Sequence, residues 1–242
     1  MSRRLRRCLA AFVLLCAFEA GAERVVSFDV DVHLEASGEM LVVEQIVYDF
    51  GELQRHGIYR DVPVRYDRAT ADWRIALEVV SVGDENDAAR PWTTSREGRN
   101  LRIRIGDPGR KVTGLQHYRI RYRVSRAVLF FEEHDEIYWN VTGNAWRVPI
   151  DAASASVTLP RQVAADLRVG CFTGAQGSRY SECEANVTPA GTGWFSTRRA
   201  LAPGEGLTLV LGLPKGVVHE PTASERWLAR VRDFLGIATL LP

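Results

Sequence analysis

The stretch RVVSFDVDVHLEASGEMLVVEQIVYDF, residues 24–50, decides the fold class. Apolar and polar residues alternate on both sides of a central turn, EASGE, at residues 35–39. A period of two puts one residue type on each face of a β-strand, so the stretch predicts two antiparallel strands with one buried face. The residues predicted to face inward are Val26, Phe28, Val30, Val32, Leu34, Met40, Val42, Ile46, Tyr48 and Phe50.

The same pattern continues through most of the chain. Further strand-like runs, separated by Asn, Gly, Pro or Asp, extend to LTLVLGLP at residues 207–214. Apolar residues recur at helical spacing only after residue 222. Roughly eight to ten strands with turn signals between them are typical of a β-sandwich. We therefore predict an all-β antiparallel β-sandwich with an N-terminal signal helix and a short C-terminal helix.

The first 22 residues have the composition of a secretory signal peptide. Four arginines within residues 3–7 precede an apolar stretch at residues 8–18, and Ala-Gly-Ala at residues 20–22 forms a small-residue cleavage site. The apolar stretch is too short to span a bilayer, which needs about twenty residues. We therefore predict an exported protein, periplasmic or otherwise extracytoplasmic, whose mature chain begins at Glu23.

Export changes the charge of the chain. Loss of four arginines and one glutamate from a sequence of formal net charge +1 leaves −2. The remaining sequence contains no basic stripe with interleaved aromatic residues. A slightly acidic chain has no general electrostatic attraction for phosphate groups, so we expect no nucleic-acid partner.

Two cysteines remain after the leader, Cys171 and Cys183, in the stretch CFTGAQGSRYSEC. An exported chain meets an oxidising compartment, and this spacing predicts a structural disulfide. A redox-active pair usually has two intervening residues, and a metal site would need further thiols or histidines nearby. We therefore predict a disulfide, with no metal and no cofactor.

The tail differs in composition from the sandwich predicted for residues 23–215. Residues 216–242 begin as a proline-containing linker and end with an apolar run at residues 234–241, preceded by three arginines. Basic residues before an apolar run are typical of the start of a transmembrane helix, but about eight residues cannot cross a bilayer. Two interpretations remain: a truncated membrane anchor, and an amphipathic helix packed on the sandwich or lying on a membrane surface.

The segment FFEEHDEIYWNVTGNAWRVPI, residues 130–150, is the richest in polar and aromatic residues. Catalysis on glycosides would need two carboxyl groups facing one cleft. Neighbouring strand residues point to opposite faces, so Asp135 and Glu136 do not make such a pair. We therefore interpret the segment as a structural corner, with Tyr138 or Trp139 largely buried between the sheets.

An alternative interpretation keeps the aromatic residues of this corner exposed. A flat row of Tyr138, Trp139 and Trp146 would favour a carbohydrate-binding module, and a carboxylate cleft within residues 132–146 would favour a carbohydrate-active enzyme. Burial of the three aromatic side chains would favour the structural interpretation.

A second polar stretch, RHGIYRDVPVRYD at residues 55–67, follows the first hairpin. Arginine suits bidentate pairing with a carboxylate, so we predict that Arg60 pairs with Asp61, Asp135 or Glu136 and holds the two stretches together. The candidate interaction corner then comprises Tyr59, Arg60, Asp61, His134, Asp135, Glu136, Tyr138, Trp139, Asn140 and Trp146.

Four stretches carry a resemblance to a known family: RHGIYRDVPVRY, RAVLFFEEHDEIYWNVTGNAWRVPI, CFTGAQGS and LPKGVV. Together they resemble the exported N-terminal domain of the YciQ-type predicted membrane proteins of bacteria, a domain of unknown function. The resemblance covers nearly all of residues 23–218, and YWNVTGNAW is its most specific part. It implies a domain outside the cytoplasmic membrane, followed by a transmembrane helix, and it implies no reaction.

These observations together predict an exported, membrane-associated β-sandwich that serves as an interaction or ligand-binding module of the bacterial envelope and is not an enzyme. Its expected partner is an envelope protein or a glycan of unknown identity. Association with the cytoplasmic membrane is expected through the C-terminal helix.

Overall fold

The computed structural model describes residues 23–66, 73–161, 163 and 167–235. Within these residues the chain is mainly β-strand, with one α-helix, α1, at Ala223–Leu235. The strands are β1 (Arg24–Leu34), β2 (Met40–Asp49), β3 (Ile58–Pro63), β4 (Arg65–Tyr66), β5 (Trp73–Arg74), β6 (Ala76–Gly83), β7 (Trp92–Glu97), β8 (Asn100–Ile105), β9 (Leu115–Ser125), β10 (Val128–Phe130), β11 (His134–Asn140), β12 (Ala153–Thr158), β13 (Arg168–Gly174), β14 (Cys183–Val187), β15 (Gly193–Thr197) and β16 (Gly206–Pro214).

The described strands form two large sheets and two small ones. The largest has the order β14-β15-β12-β1-β2-β9-β6, and the second has the order β10-β11-β16-β13. A three-stranded sheet, β3-β8-β7, and a hairpin, β4-β5, lie beside them. Strands β1 and β12 are parallel, whereas the other neighbours are antiparallel. The predicted all-β, antiparallel-rich architecture is confirmed.

One hydrophobic cluster joins the inward faces of the two large sheets. Phe28 and Ile46 enter it from the seven-stranded sheet, and Trp139 and Leu209 enter it from the four-stranded sheet, all at most 1% exposed. Burial of a large apolar side chain contributes about 1.5–3 kcal/mol, so this shared interior holds the sheets face to face.

The N-terminal hairpin forms as its alternation predicts, with one local displacement. A β-bulge between Val25 and Ser27 shifts the register of β1, so Val25 is buried and Val26 is only half-buried. The extra residue of a bulge changes which side chain faces inward. Phe131 lies between β10 and β11, is 41% exposed and stacks on His134.

The predicted short C-terminal helix is confirmed as α1. Thr222 and Glu225 close its first turn reciprocally: the Thr222 N–H donates to Glu225 Oε2, and the Glu225 N–H donates to Thr222 Oγ1. This capping box satisfies amide groups that lack a partner within the helix. Trp227 and Leu228 are exposed by 65% and 50%, so that part of α1 packs little on the sandwich.

The segment before α1 is more tightly packed than a linker. Val217 and Val218 belong to the buried cluster, and the His219 N–H donates to the Ala36 carbonyl, so the packed region extends beyond residue 215. Among the described helical residues, none forms a helix both long and apolar enough to cross a membrane. The predicted signal peptide, residues 1–22, and residues 236–242 of the tail lie outside the described residues.

Candidate binding cleft

A buried arginine, Arg60 of β3, organises the region that the sequence singled out. Its Nε and Nη2 atoms donate to the two carboxylate oxygens of Glu44 at 2.8 and 2.7 Å. Nη1 donates to the carbonyls of Asp61 and Thr142, and Nη2 also donates to the carbonyl of Val141. All five N–H groups of the guanidinium are therefore used, as burial requires.

Glu44 is the carboxylate at the centre of this arrangement. It lies on β2, fully buried, and accepts a third hydrogen bond, 2.6 Å long, from the hydroxyl of Tyr122 on β9. Burial, followed by the charge of Glu44, raises the pKa of Tyr122 well above its ordinary value. Burial alone would lower the pKa of Arg60, but the charge of Glu44 and its hydrogen bonds raise it above the ordinary value. Tyr122 therefore keeps its hydroxyl proton and Arg60 keeps its positive charge, as these hydrogen bonds require.

The predicted carboxylate partners of Arg60 are wrong, because Glu44 takes that place. The carboxylate of Asp61 instead pairs with Arg102 of β8, at 2.8 Å for each oxygen. The sequence feature that indicates the true partner lies in the N-terminal hairpin. In the alternation of β2, residue 44 is an inward position, and a charged residue there must find a buried partner.

Asp135, Glu136 and His134 are not brought together. The buried carboxylate of Asp135 accepts a hydrogen bond of 2.8 Å from Lys215 Nζ, and Glu136 lies on the opposite face of β11. His134 is stacked on Phe131. In the described part of the chain, no three His, Cys, Asp or Glu side chains are grouped to hold a metal ion.

The aromatic residues of the corner do not form a shared platform. Trp139 is 1% exposed and Trp146 is 8% exposed, whereas Tyr138 is half-buried and Tyr59 is exposed. Trp146 Nε1 donates to the carbonyl of Thr142, which also accepts from the buried arginine. The structure thus favours the structural corner over the sugar platform.

Above this corner lies an open cleft of about 820 Å³, a volume typical of small-ligand sites. Its floor is the outer face of the four-stranded sheet, where Asn140, Thr208 and Phe172 lie side by side on β11, β16 and β13. One side is formed by Tyr66 and Trp73, whose ring centroids are 4.9 Å apart. The lining residues are Asp61, Pro63, Arg65, Tyr66, Trp73, Arg99, Asn100, Tyr138, Asn140, Asn144, Ala145, Phe172, Thr173, Gly174, Ala175, Gln176, Gly177, Ser178, Gly206 and Thr208.

The cleft walls come from stretches that are distant in sequence. Three of the stretches that carry the family resemblance contribute lining residues, through their segments RDVPVRY, YWNVTGNA and FTGAQGS. Arg99, in the turn between β7 and β8, and Asn100, the first residue of β8, also contribute. The corner at residues 132–146 therefore contributes one wall of a larger site.

Three polar side chains in the lining remain available to a ligand. The hydroxyls of Tyr138 and Thr208 and the side-chain amide of Asn100 have no hydrogen-bond partner within the described chain. Hydroxyl and amide groups both donate and accept hydrogen bonds. Together with the neighbouring aromatic rings, they provide the mixed apolar and polar lining that ligand sites typically have.

Two asparagines fix the shape of the cleft from within. Asn140 Nδ2 donates to Asn144 Oδ1 at 2.7 Å, and Asn140 Oδ1 accepts from the Gly143 N–H. Asn144 Nδ2 in turn donates to the carbonyls of Gly174 and Gly204. These bonds tie the loop after β11 to the end of β13, so both walls keep one arrangement. Asn144 was not among the predicted site residues.

The predicted disulfide between Cys171 and Cys183 is present, with the two Cα atoms 6.2 Å apart. Cys171 lies on β13 and Cys183 lies on β14, which are outer strands of the two large sheets. The bond therefore joins the sheets at one edge of the sandwich. The cleft wall at residues 172–178 follows Cys171 directly and is fixed by the same bond.

Solved structures show a distant likeness in fold. Native leukotriene A4 hydrolase from Saccharomyces cerevisiae aligns with 78% of this chain and 29% of its own, at a TM-score of 0.48 and 9% identity. An M1 zinc metallopeptidase from Deinococcus radiodurans aligns with 77% of this chain and 42% of its own, at a TM-score of 0.41 and 9% identity. Likeness at this level carries no inference about activity.

A relative by sequence is the uncharacterized protein YciQ of Escherichia coli strain K12. It is 30% identical over 162 residues, which cover 65% of this chain and 26% of YciQ. The aligned part thus spans about a quarter of that relative. A family model described as the N-terminal domain of a predicted membrane protein, DUF2207, matches residues 24–213. Because that match covers most of the sequence, the chain belongs to the DUF2207 family of predicted membrane proteins.

Proposed function

We propose that this domain is an extracytoplasmic binding module of the bacterial envelope and that the cleft is its binding site. The observation that carries the proposal is the cleft itself: distant stretches converge on it, and Tyr138, Thr208 and Asn100 present unpartnered polar groups there. The buried Arg60 beneath it holds the walls in place at the cost of two desolvated charges. The ligand is a small molecule or a segment of an envelope partner.

Export and membrane association are parts of the same proposal. A disulfide between Cys171 and Cys183 is typical of an oxidising compartment, which supports export by the signal-peptide-like leader. The exposed Trp227 and Leu228 of α1, beside Arg226, have the composition of a helix that lies at a membrane interface. The family description as a predicted membrane protein supports this placement.

A binding role suits the carboxylates of the corner better than catalysis. Asp61 is held by Arg102, and Asp135 is held by Lys215. Carboxylates that are bound in ion pairs of this kind hold loops together. A glycosidase needs two carboxyl groups that are free to face the substrate. We therefore propose that the domain binds its ligand without transforming it.

Site-specific photocrosslinking in intact cells tests the binding role. A photoreactive amino acid at Gln176, on the exposed rim of the cleft, should give a discrete crosslinked product. The matched control is Thr158, which is also exposed, on the outer face of the seven-stranded sheet, and should give none. Tyr138→Ala should abolish the product from Gln176. Equal products from both positions, or no effect of the alanine variant, would contradict the proposal.

A further inference from the structure

Strand β7 is an outer strand with both of its faces in solvent. All six residues, Trp92–Glu97, are exposed, and β8 is the strand's neighbour in the three-stranded sheet. Its sequence, WTTSRE, contains no proline, and its pairing with β8 has no register shift. An outer strand of this kind offers unpaired backbone groups to a further strand.

The backbone groups that point outward follow from the pairing with β8. The Gly106 N–H donates to the carbonyl of Pro91, so odd-numbered positions of this segment are turned toward β8. Antiparallel bonding alternates along a strand, and it leaves the N–H and C=O groups of Trp92, Thr94 and Arg96 pointing away. Within the described part of the chain these six backbone groups have no partner, so they can form a second ladder.

The outer strands of the two large sheets carry protection that β7 lacks. Strand β10 is only three residues long, and β6 has a bulge between Val79 and Ser81. Strands β13 and β14 lie against each other and are joined by the disulfide. Short strands, bulges and covered edges are the usual means by which proteins avoid unwanted pairing.

We propose that two copies of this chain pair through β7, antiparallel and centred on Thr94. In that register the outward-pointing groups of the three residues all find partners. Trp92 then lies opposite the partner's Arg96, twice, in position for a cation–π contact. A register centred on Arg96 would instead place two arginines opposite each other, and like charges in that position are destabilising. The register centred on Thr94 therefore pairs all three outward-pointing residues within the strand and avoids the like-charge contact.

This pairing has a consequence for the cleft, although the pairing itself does not depend on ligand binding. Arg99, in the turn that follows β7, and Asn100, the first residue of β8, line the cleft. Antiparallel pairing sends the two turns in opposite directions, so the two clefts lie at opposite ends of the joined sheet. The dimer would hold two ligands, or two segments of one partner, at a fixed separation.

Sedimentation velocity over a wide range of concentration tests the pairing, with the full chain expressed with its own leader and purified from the envelope. The wild-type chain should show a reversible monomer–dimer equilibrium. Thr94→Pro removes an outward N–H that β8 does not use, so the monomer should stay folded by circular dichroism while dimerisation weakens by about ten-fold or more. A wild-type chain that is monomeric at every concentration would overturn the proposal.

A pair of charge variants tests the register. Trp92→Lys places a cation opposite the partner's Arg96 and should abolish the dimer, whereas Trp92→Glu places an anion there and should retain it. Both variants remove the same exposed aromatic ring, so each controls for non-specific hydrophobic association. Equal dimerisation of the two variants would refute the antiparallel register centred on Thr94.

Discussion

Two arginine–carboxylate clusters in this molecule have similar geometry and opposite surroundings. Beneath the cleft, Arg60 holds Glu44 with N–O distances of 2.7 and 2.8 Å, and both side chains are fully buried. On the outer surface, Asp87 holds Arg121 and Arg119 at 2.7 and 3.0 Å, and its own side chain is 49% exposed. Bond lengths alone do not separate the two clusters.

The difference lies in what each charge would meet if its partner were removed. Water and salt would surround Asp87 and screen its charge, whereas Glu44 would remain in an apolar interior. The buried pair also hydrogen-bonds backbone carbonyls of the loop after β11, which the surface cluster does not. The comparison teaches that the contribution of an ion pair to stability depends on its burial and on the further hydrogen bonds that its members make.

Loss of the buried arginine should have the largest effect. Arg60→Ala leaves Glu44 buried without its counter-charge, and we expect a loss of about 3–5 kcal/mol in the free energy of unfolding, measured by urea denaturation. Arg121→Ala is the matched control at the surface and should change stability little. Similar losses for both variants would contradict the comparison.

The double variant Glu44→Leu/Arg60→Met separates a missing partner from a missing pair. It replaces both charges with apolar groups of similar size, so it should be clearly more stable than Arg60→Ala alone. A double variant as unstable as the single one would show that the hydrogen bonds of the pair to the backbone and to Tyr122, rather than its charges, hold the corner.

Removal of the disulfide should have the next largest effect. Cys171→Ser/Cys183→Ser frees a loop of about 13 residues in the unfolded chain, and the chain-entropy model gives a loss of roughly 3 kcal/mol. Denaturation of the wild-type chain with a reducing agent should show the same loss, and the double variant should be insensitive to that reagent. Equal stability with and without reductant would exclude the bond as a stabilising element.

Substitution of Gly143 tests whether the loop after β11 must approach the buried Arg60 closely. Its φ is +75°, and an added Cβ would lie 2.8 Å from Arg60 Nη1. Gly143→Ala should lose about 1–3 kcal/mol in unfolding free energy from backbone strain and that clash. Gly177→Ala is the control, since φ is +85° there and an added Cβ meets nothing within 4 Å. Equal losses in the two variants would mean that backbone strain alone, without the clash at Arg60, accounts for the loss in unfolding free energy.

The surface cluster should give the smallest effect, and that effect should depend on pH. Hydrogen bonds from Arg121 and Arg119 lower the pKa of Asp87 from 3.8 to about 2. Its contribution to stability is therefore present above about pH 4 and is lost as the pH falls through about 2. Asp87→Asn should differ slightly from wild type near neutral pH and low salt, and 1 M salt should remove the difference. A difference that persists in 1 M salt would contradict screening.

Local patterns predicted the fold class well because they depend on neighbouring residues. The alternation in the N-terminal hairpin indicates two strands and their buried face, and the turn at residues 35–39 indicates the reversal. The pair Cys171 and Cys183 is likewise local, twelve residues apart. The exception is the bulge at Val25, which depends on pairing with the neighbouring strand.

The cleft could not be predicted in the same way, because it depends on the order of strands in space. Strand β16 lies between β11 and β13, and this order brings residues 138–145 beside residues 172–178. The partner of Arg60 was open to prediction in part. Glu44 is a charge at an inward position of β2, which indicates a buried ion pair but does not identify its other member.

The length of β11 determines how far the cleft lies from the segment that leads into α1. Asn140, at one end, forms the cleft floor, and His134, at the other, lies opposite Pro214, just before the segment that leads into α1. Seven residues at about 3.3 Å each separate the two ends by roughly 20 Å. Under the proposed contact of α1 with a membrane surface, this distance is the length of sandwich that β11 places between the cleft and the segment leading into α1.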